Sequence, residues 1–163
     1  MLALRKKGVD MAEKDIIDGI KAATSPARIE VICKKPLVIL DGAHNVDSAR
    51  ALANTLAEEG VAGLTLIIGM LEDKQVALVL PLLAPYVAKL YAVAPDSPRA
   101  LSGEKIAKMA EPLFPTVVAF SRLEDAILRA KRAGDKVLVC GSLYLAAQAR
   151  PILLQVYGDT EKL

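Results

Sequence analysis

Tryptophan is absent from this 163-residue sequence, and aromatic residues make up only 4% of it. A core built here must be aliphatic. Histidine occurs once, at His44, and cysteine twice, at Cys33 and Cys140. No metal-ligand spacing surrounds the histidine, so a zinc site has no support. It also lacks a Ser or Cys nucleophile pattern, which removes a hydrolase triad. The cysteines lie far apart inside predicted strands and read as buried reduced thiols of a cytoplasmic protein. No stretch reaches the ~18 apolar residues of a membrane span. Met1–Gly8 shows no long apolar run after its Lys and Arg, so no signal peptide is read. The formal net charge is only +2, and no basic stripe interleaved with aromatics invites nucleic acid. Neither a P-loop (GxxxxGK followed by Ser or Thr) nor a glycine pattern for a dinucleotide is found.

What is present describes one ordinary globular domain, 53% hydrophobic and 25% charged, long enough for a sizeable core. The most informative stretch runs from Pro36 to Arg50. Leu37 to Leu40 are continuously apolar, as in a strand covered on both faces. Asp41-Gly42 is a turn signal. Ala49, Leu52, Ala53 and Leu56 then fall at helical spacing, with Asn45 as N-cap and Gly60 as stop. Asp41, His44 and Asn45 therefore sit in a short strand-to-helix loop, read as exposed. Free backbone N–H groups and the positive end of a helix dipole lie beside them.

The remaining chain repeats that alternation. Residues 1–25 read as helical, with Ile16, Ile17 and Ile20 on one face. Arg28–Lys34 alternates, with Ile29, Val31 and Cys33 on the apolar side of a half-buried edge strand. Further strands are expected at Leu64–Gly69, Val87–Ala94, Thr116–Phe120 and Lys136–Cys140. Helices fall between them, and a last helix follows Gly141-Ser142, kinked or split by Pro151. The pattern predicts an α/β fold: a doubly wound, mostly parallel, Rossmann-like sheet with an N-terminal antiparallel edge strand and helices on both faces. In such a sheet the strand C-terminal ends share one rim. Asp41–Asn45, Glu72–Lys74, Pro95–Arg99 and Gly141-Ser142 should meet there. Asp41 can accept from a ribose diol or hold a cation, and His44 can donate to a carboxylate. Lys74 and Arg99 can meet phosphate or carboxylate, and Ser142 adds a hydroxyl. Each also has an ordinary structural use, as turn residue, cap or solvated charge. Spacing alone yields an α/β domain that binds something small and anionic.

Leu40-Asp-Gly-Ala-His-Asn45 resembles the Asp-Gly-Ala-His-Asn-Pro signature of folylpolyglutamate and dihydrofolate synthases, in the Mur ligase superfamily. Ser25-Pro-Ala-Arg-Ile-Glu-Val-Ile32 is similar to the Trp-Pro-Gly-Arg segment that opens that family's C-terminal domain. Gly69-Met-Leu-Glu-Asp-Lys74 resembles its Gly-Met-x-x-Asp-Lys turn, and Pro98–Leu101 and Gly141–Tyr144 also match. Ser25, Ala27 and Val46 depart from the signatures, standing for Trp, Gly and Pro. The resemblance covers the last third or so of a family enzyme. It implies that residues 1–25 are the tail of a central ATPase domain and 26–163 the C-terminal domain.

The implied activity is an ATP-dependent ligase adding L-glutamate to a folate or dihydropteroate carboxylate through an acyl phosphate. The P-loop and Mg2+ ligands are then expected in the central domain, so these 163 residues alone are expected to be inactive. By motif, Arg28 and Asp41 would bind ATP, and His44 and Ser142 the glutamate. Asn45, Asp73, Lys74 and Arg99 are weaker candidates, and no residue here is a metal ligand. The expected partner is the central ATPase domain, and the expected state a monomer in the cytoplasm, without nucleic acid or membrane. Two alternatives stand beside it: another Mur-type amino-acid ligase, and a non-catalytic binding module of the same fold.

Overall fold

A computed structural model describes residues 25–158 of the chain, together with Lys14. The reading of residues 1–25 as helical tail therefore falls almost wholly outside the described residues. Six strands form one sheet: β1 (Glu30–Lys34), β2 (Leu37–Leu40), β3 (Leu64–Ile68), β4 (Val87–Ala92), β5 (Val117–Ala119) and β6 (Val137–Cys140). Their spatial order is β1-β2-β6-β3-β4-β5. β1 pairs antiparallel with β2 and every other pairing is parallel. Among the described residues the α-helices are α1 (Val46–Glu58), α2 (Val76–Leu83), α3 (Gly103–Ala110), α4 (Leu123–Arg132) and α5 (Leu143–Tyr157).

The central strands β3 and β6 are buried at every residue, which is why their sequences show no polar alternation. Alternate side chains still serve different layers. Ile39, Leu66, Ile68, Leu138 and Cys140 pack with Leu52 and Leu56 of α1, Leu80 of α2 and Ile106 of α3. Leu40, Ile67, Val137 and Val139 pack on the other face with Ile127 of α4 and Leu145 and Leu153 of α5. Both cysteines are buried, Cys140 in the first layer and Cys33 in the second.

Two sequence expectations change. Ile29 and Val31 do not face the core with Cys33: Val31 is 49% exposed and Cys33 only 3%. The pairing of β1 with β2 shifts between those residues, and an inserted residue reverses which side the following side chains occupy. Pro151 does not split the last helix, which runs unbroken from Leu143 to Tyr157. Pro151 is exposed, as is Ala147 one turn earlier, while Ala149 and Leu153 are buried. The carbonyl that loses its N–H partner therefore faces solvent, and packing on the other side holds the helix together.

At the edge where the parallel strands begin, Asp135 ties three of them. Its carboxylate accepts from the Thr65 hydroxyl at 2.8 Å and the Lys89 ammonium at 2.7 Å. Thr65 is 1% exposed, so water does not replace this acceptor. The hydrogen bond to Asp135 raises the Lys89 pKa above its ordinary 10.5. Asp135→Ala should lower stability by about 1–3 kcal/mol, read from the urea midpoint at neutral pH. The Lys89 share of that loss is complete below pH 10.5 and fades as pH rises through the raised folded value.

Candidate functional site

The chain reverses direction across the sheet at β6, which lies between β2 and β3. The helix after β2 packs on one face and the helix after β6 on the other. Their departing loops leave a crevice at the C-terminal ends of the strands, where open α/β sheets receive ligands. Two cavities occupy it. One, of about 420 Å³, is lined by the Arg28 loop, Asp41–His44, Ser48 and Thr55 of α1, and Leu143. The other, of about 180 Å³, is lined by His44, Leu71, Lys74, Arg99 and Ser142–Tyr144. His44 and Leu143 border both.

Asp41 ends β2 and is buried, contrary to the exposed loop expected from sequence. Its two carboxylate oxygens accept from Ala43 N–H at 2.7 Å and Ile29 N–H at 2.8 Å. Gly42 N–H donates to the Ala27 carbonyl at 2.6 Å, closing the loop onto the segment that carries Arg28. A side chain at Gly42 has little room: a Cβ there lies 2.5 Å from Leu143 Cδ2. Ala27 and Ile29 both adopt positive φ, 57° and 47°. Ala27 thus occupies a left-handed position where the family signature has the residue that tolerates it without strain, glycine.

His44 Nδ1 lies 2.9 Å from the Gly42 carbonyl. Nδ1 must be the protonated nitrogen there, which turns Nε2 away from that contact. Asn45 caps α1, accepting from Ser48 N–H at 2.8 Å in a reciprocal capping box. Ser142 caps α5 by accepting from Leu145 N–H at 3.0 Å, and is 2% exposed. Its hydroxyl proton can still donate into the smaller cavity. Lys74 Nζ lies 3.1 Å from Asp73, whose other oxygen is 4.0 Å from Arg99 Nη1. The hydrogen bond from Lys74 is the main cause that holds the Asp73 carboxyl below its usual value. The loops bearing them are stitched by Glu72 N–H to the Arg99 carbonyl, 2.9 Å, and Leu101 N–H to the Met70 carbonyl, 2.9 Å.

Arg28, Asp41, His44, Lys74, Arg99 and Ser142 therefore line one crevice, while Asn45 is committed to its helix cap and Asp73 to its two cations. Leu143 and Tyr144 fall in the Gly141–Tyr144 match but were not among the candidate site residues, although they border the smaller cavity, 60% and 47% exposed. Two exposed apolar residues right after a cap were the available signal. Among the described residues no three His, Cys, Asp or Glu side chains gather to hold a metal ion. Nor do the described residues include a helix long and apolar enough to cross a membrane.

The site is thus a doubly wound sheet with cationic and hydroxyl groups gathered around its switch point. The chain belongs to the Mur ligase family: the family's description "Mur ligase, glutamate ligase domain" matches residues 27–143. It is 32% identical to the dihydrofolate synthase/folylpolyglutamate synthase of Escherichia coli, over 94% of this chain and 36% of that protein. It is 32% identical to the folylpolyglutamate synthase of Lacticaseibacillus casei, over 88% of this chain and 33% of that one. The fold matches Mycobacterium tuberculosis folylpolyglutamate synthase complexed with ADP and AMPPCP, TM-score 0.81 at 31% identity, covering 92% of this chain and 37% of that one. A bifunctional folylpolyglutamate synthase/dihydrofolate synthase with Mn, AMPPNP and L-glutamate bound matches with TM-score 0.76 at 33% identity, over 92% and 37%. The chain spans about a third of the length of the relatives it matches.

The two bonds made by Asp41 predict that Asp41→Ala costs about 1–3 kcal/mol, because two backbone donors lose their acceptor. Asp41→Asn keeps an acceptor oxygen and should lose less. Thermal melts of the two variants test this, and equal midpoints with the parent would remove the structural share of Asp41.

Proposed function

We propose that this chain is the C-terminal domain of an ATP-dependent ligase that adds L-glutamate to a folate or dihydropteroate carboxylate. The observation that carries the reading is the pair of cavities divided by His44 and Leu143, with different groups in each. The larger offers Arg28 and Asp41, suited to nucleotide phosphate and ribose. The smaller offers Lys74, Arg99 and the Ser142 hydroxyl, suited to an amino acid with two carboxylates. Relatives named for glutamate addition to folates support this assignment over another amino acid.

In this reading ATP transfers its γ-phosphoryl group to the folate or pteroate carboxylate, releasing ADP. The glutamate amino group then attacks the acyl carbon, and phosphate leaves as the amide forms. Arg28 meets the phosphate oxygens and offsets charge that develops during transfer. Asp41 accepts a ribose hydroxyl with a lone pair left over by its two backbone bonds. Ser142 donates to a carboxylate of the incoming glutamate and His44 Nε2 meets the same substrate, with Lys74 and Arg99 as nearby cations. The gathered cations of the rim act best when a second domain closes over them and excludes water. That partner is a P-loop domain, and in this reading the Mg2+ accompanying ATP takes its ligands there.

The purified 163-residue chain, given ATP, Mg2+, a folate and glutamate, should release no ADP above background. Sustained turnover by this chain alone would contradict the division of labour. In a ligase carrying this domain beside its P-loop domain, two substitutions should separate. Arg28→Ala should lower kcat far more than it raises the KM for the folate, because its contact forms on closure. His44→Ala should raise the KM for glutamate about ten- to a hundredfold, as loss of a hydrogen bond to a charged group does. Equal effects of both variants on one parameter would collapse the two cavities into a single role.

A further inference from the structure

Arg28 combines a rigid base with an idle head. Its backbone neighbours are fixed from both sides. Ala27 N–H donates to Glu30 Oε2 at 3.0 Å, and Ile29 N–H to Asp41 Oδ2 at 2.8 Å. Arg28 N–H itself donates to the Ser25 carbonyl at 3.2 Å. Three consecutive N–H groups are thus held while Ala27 and Ile29 keep positive φ, a conformation most unusual for a β-branched residue. Yet Arg28 is exposed, and its guanidinium has no hydrogen-bond or ion-pair partner among the described residues. Strained backbone persists where the surroundings over-determine it, and it collects at working sites.

Glu30 is held in turn by α5. Arg150 Nε donates to both of its carboxylate oxygens, Oε1 at 3.0 Å and Oε2 at 3.1 Å, and Nη2 lies 2.8 Å from Oε1. One guanidinium thus spans both oxygens, which orients the carboxylate as a single ammonium contact does not. The grip is also the main reason the Glu30 carboxyl lies below its usual value. Glu30 is thereby turned toward Ala27 by a residue 120 positions away.

We propose that Glu30 and Arg150 are positioning residues for Arg28. Their ion pair holds the left-handed backbone that aims the free guanidinium into the crevice. The proposal rests on the reading that Arg28 meets phosphate, and deepens it.

The test is a set of double-mutant cycles in the ligase formed by this domain and its P-loop domain. Glu30→Gln and Arg150→Met should each lower kcat about ten- to a hundredfold, the range that follows a misplaced reacting group, with the glutamate KM within about twofold. In an Arg28→Ala background the same substitutions should lower kcat no further, because the group they aim is gone. A merely structural pair would act equally in both backgrounds. Arg150→Lys keeps the charge but not the fork, and should fall between parent and Arg150→Met. It also serves if the Met variant fails to fold. Multiplying losses in the Arg28→Ala background, or an unchanged kcat in Glu30→Gln, would overturn the positioning role. If Arg28→Ala itself leaves kcat unchanged, the phosphate reading fails first and takes this proposal with it.

Discussion

The Asp41 carboxylate is the joint on which the crevice depends. It stands where β2 stops, and its two oxygens bind one donor before the strand and one after it. The hydrogen bond to Ile29 draws the N-terminal segment back across the end of the sheet. The bond to Ala43 shapes the entry into α1. A carboxylate suits this place because each oxygen can keep a backbone bond and still present a lone pair. Its partners are backbone donors, so the arrangement withstands changes in neighbouring side chains.

Around that joint, conflict between stability and function is visible in the backbone. Ile29 and Ala27 hold a conformation that costs of order 1–3 kcal/mol each for residues with a Cβ. The compensating contacts are charge-assisted or buried: Glu30 with Arg150, Asp41 with Ile29, Gly42 with Ala27. Gly141, at φ 117°, meets a similar constraint in the opposite way. A Cβ added there would lie 2.7 Å from the Gly69 carbonyl oxygen, which excludes any side chain. One loop tolerates strain to carry an arginine; the other gives up its side chain to bring β6 close to β3.

Much of this was legible in the sequence because the governing interactions are local. Continuous apolar runs marked the central strands, and i, i+3, i+4 spacing marked α1 and α4. Asn45 and Ser142 announced their caps, and the ends of parallel strands placed the rim before any coordinates. The misreadings have long-range causes. The bulge that turns Val31 outward arises from pairing with β2, not from the composition of β1. Pro151 was overruled by packing on the far side of its helix. The burial of Asp41 depends on Ile29 folding back over it, and the link from Glu30 to Arg150 spans 120 residues. Periodicity cannot report a partner that distant.

The Asp135 tie lies at the opposite end of the same strands from the ligand crevice. Four- and five-residue strands at about 3.3 Å per residue set the two ends roughly 15 Å apart, close to two Debye lengths at physiological ionic strength. The domain is therefore electrically partitioned. Solvent-exposed charge can be redrawn at the surface beside that tie, the Lys89–Asp135 pair itself kept, with little change in the potential felt by an anion beside Arg28. For an engineer, the lower rim is a place to install new surface chemistry, a tether or a fluorophore without disturbing the upper one.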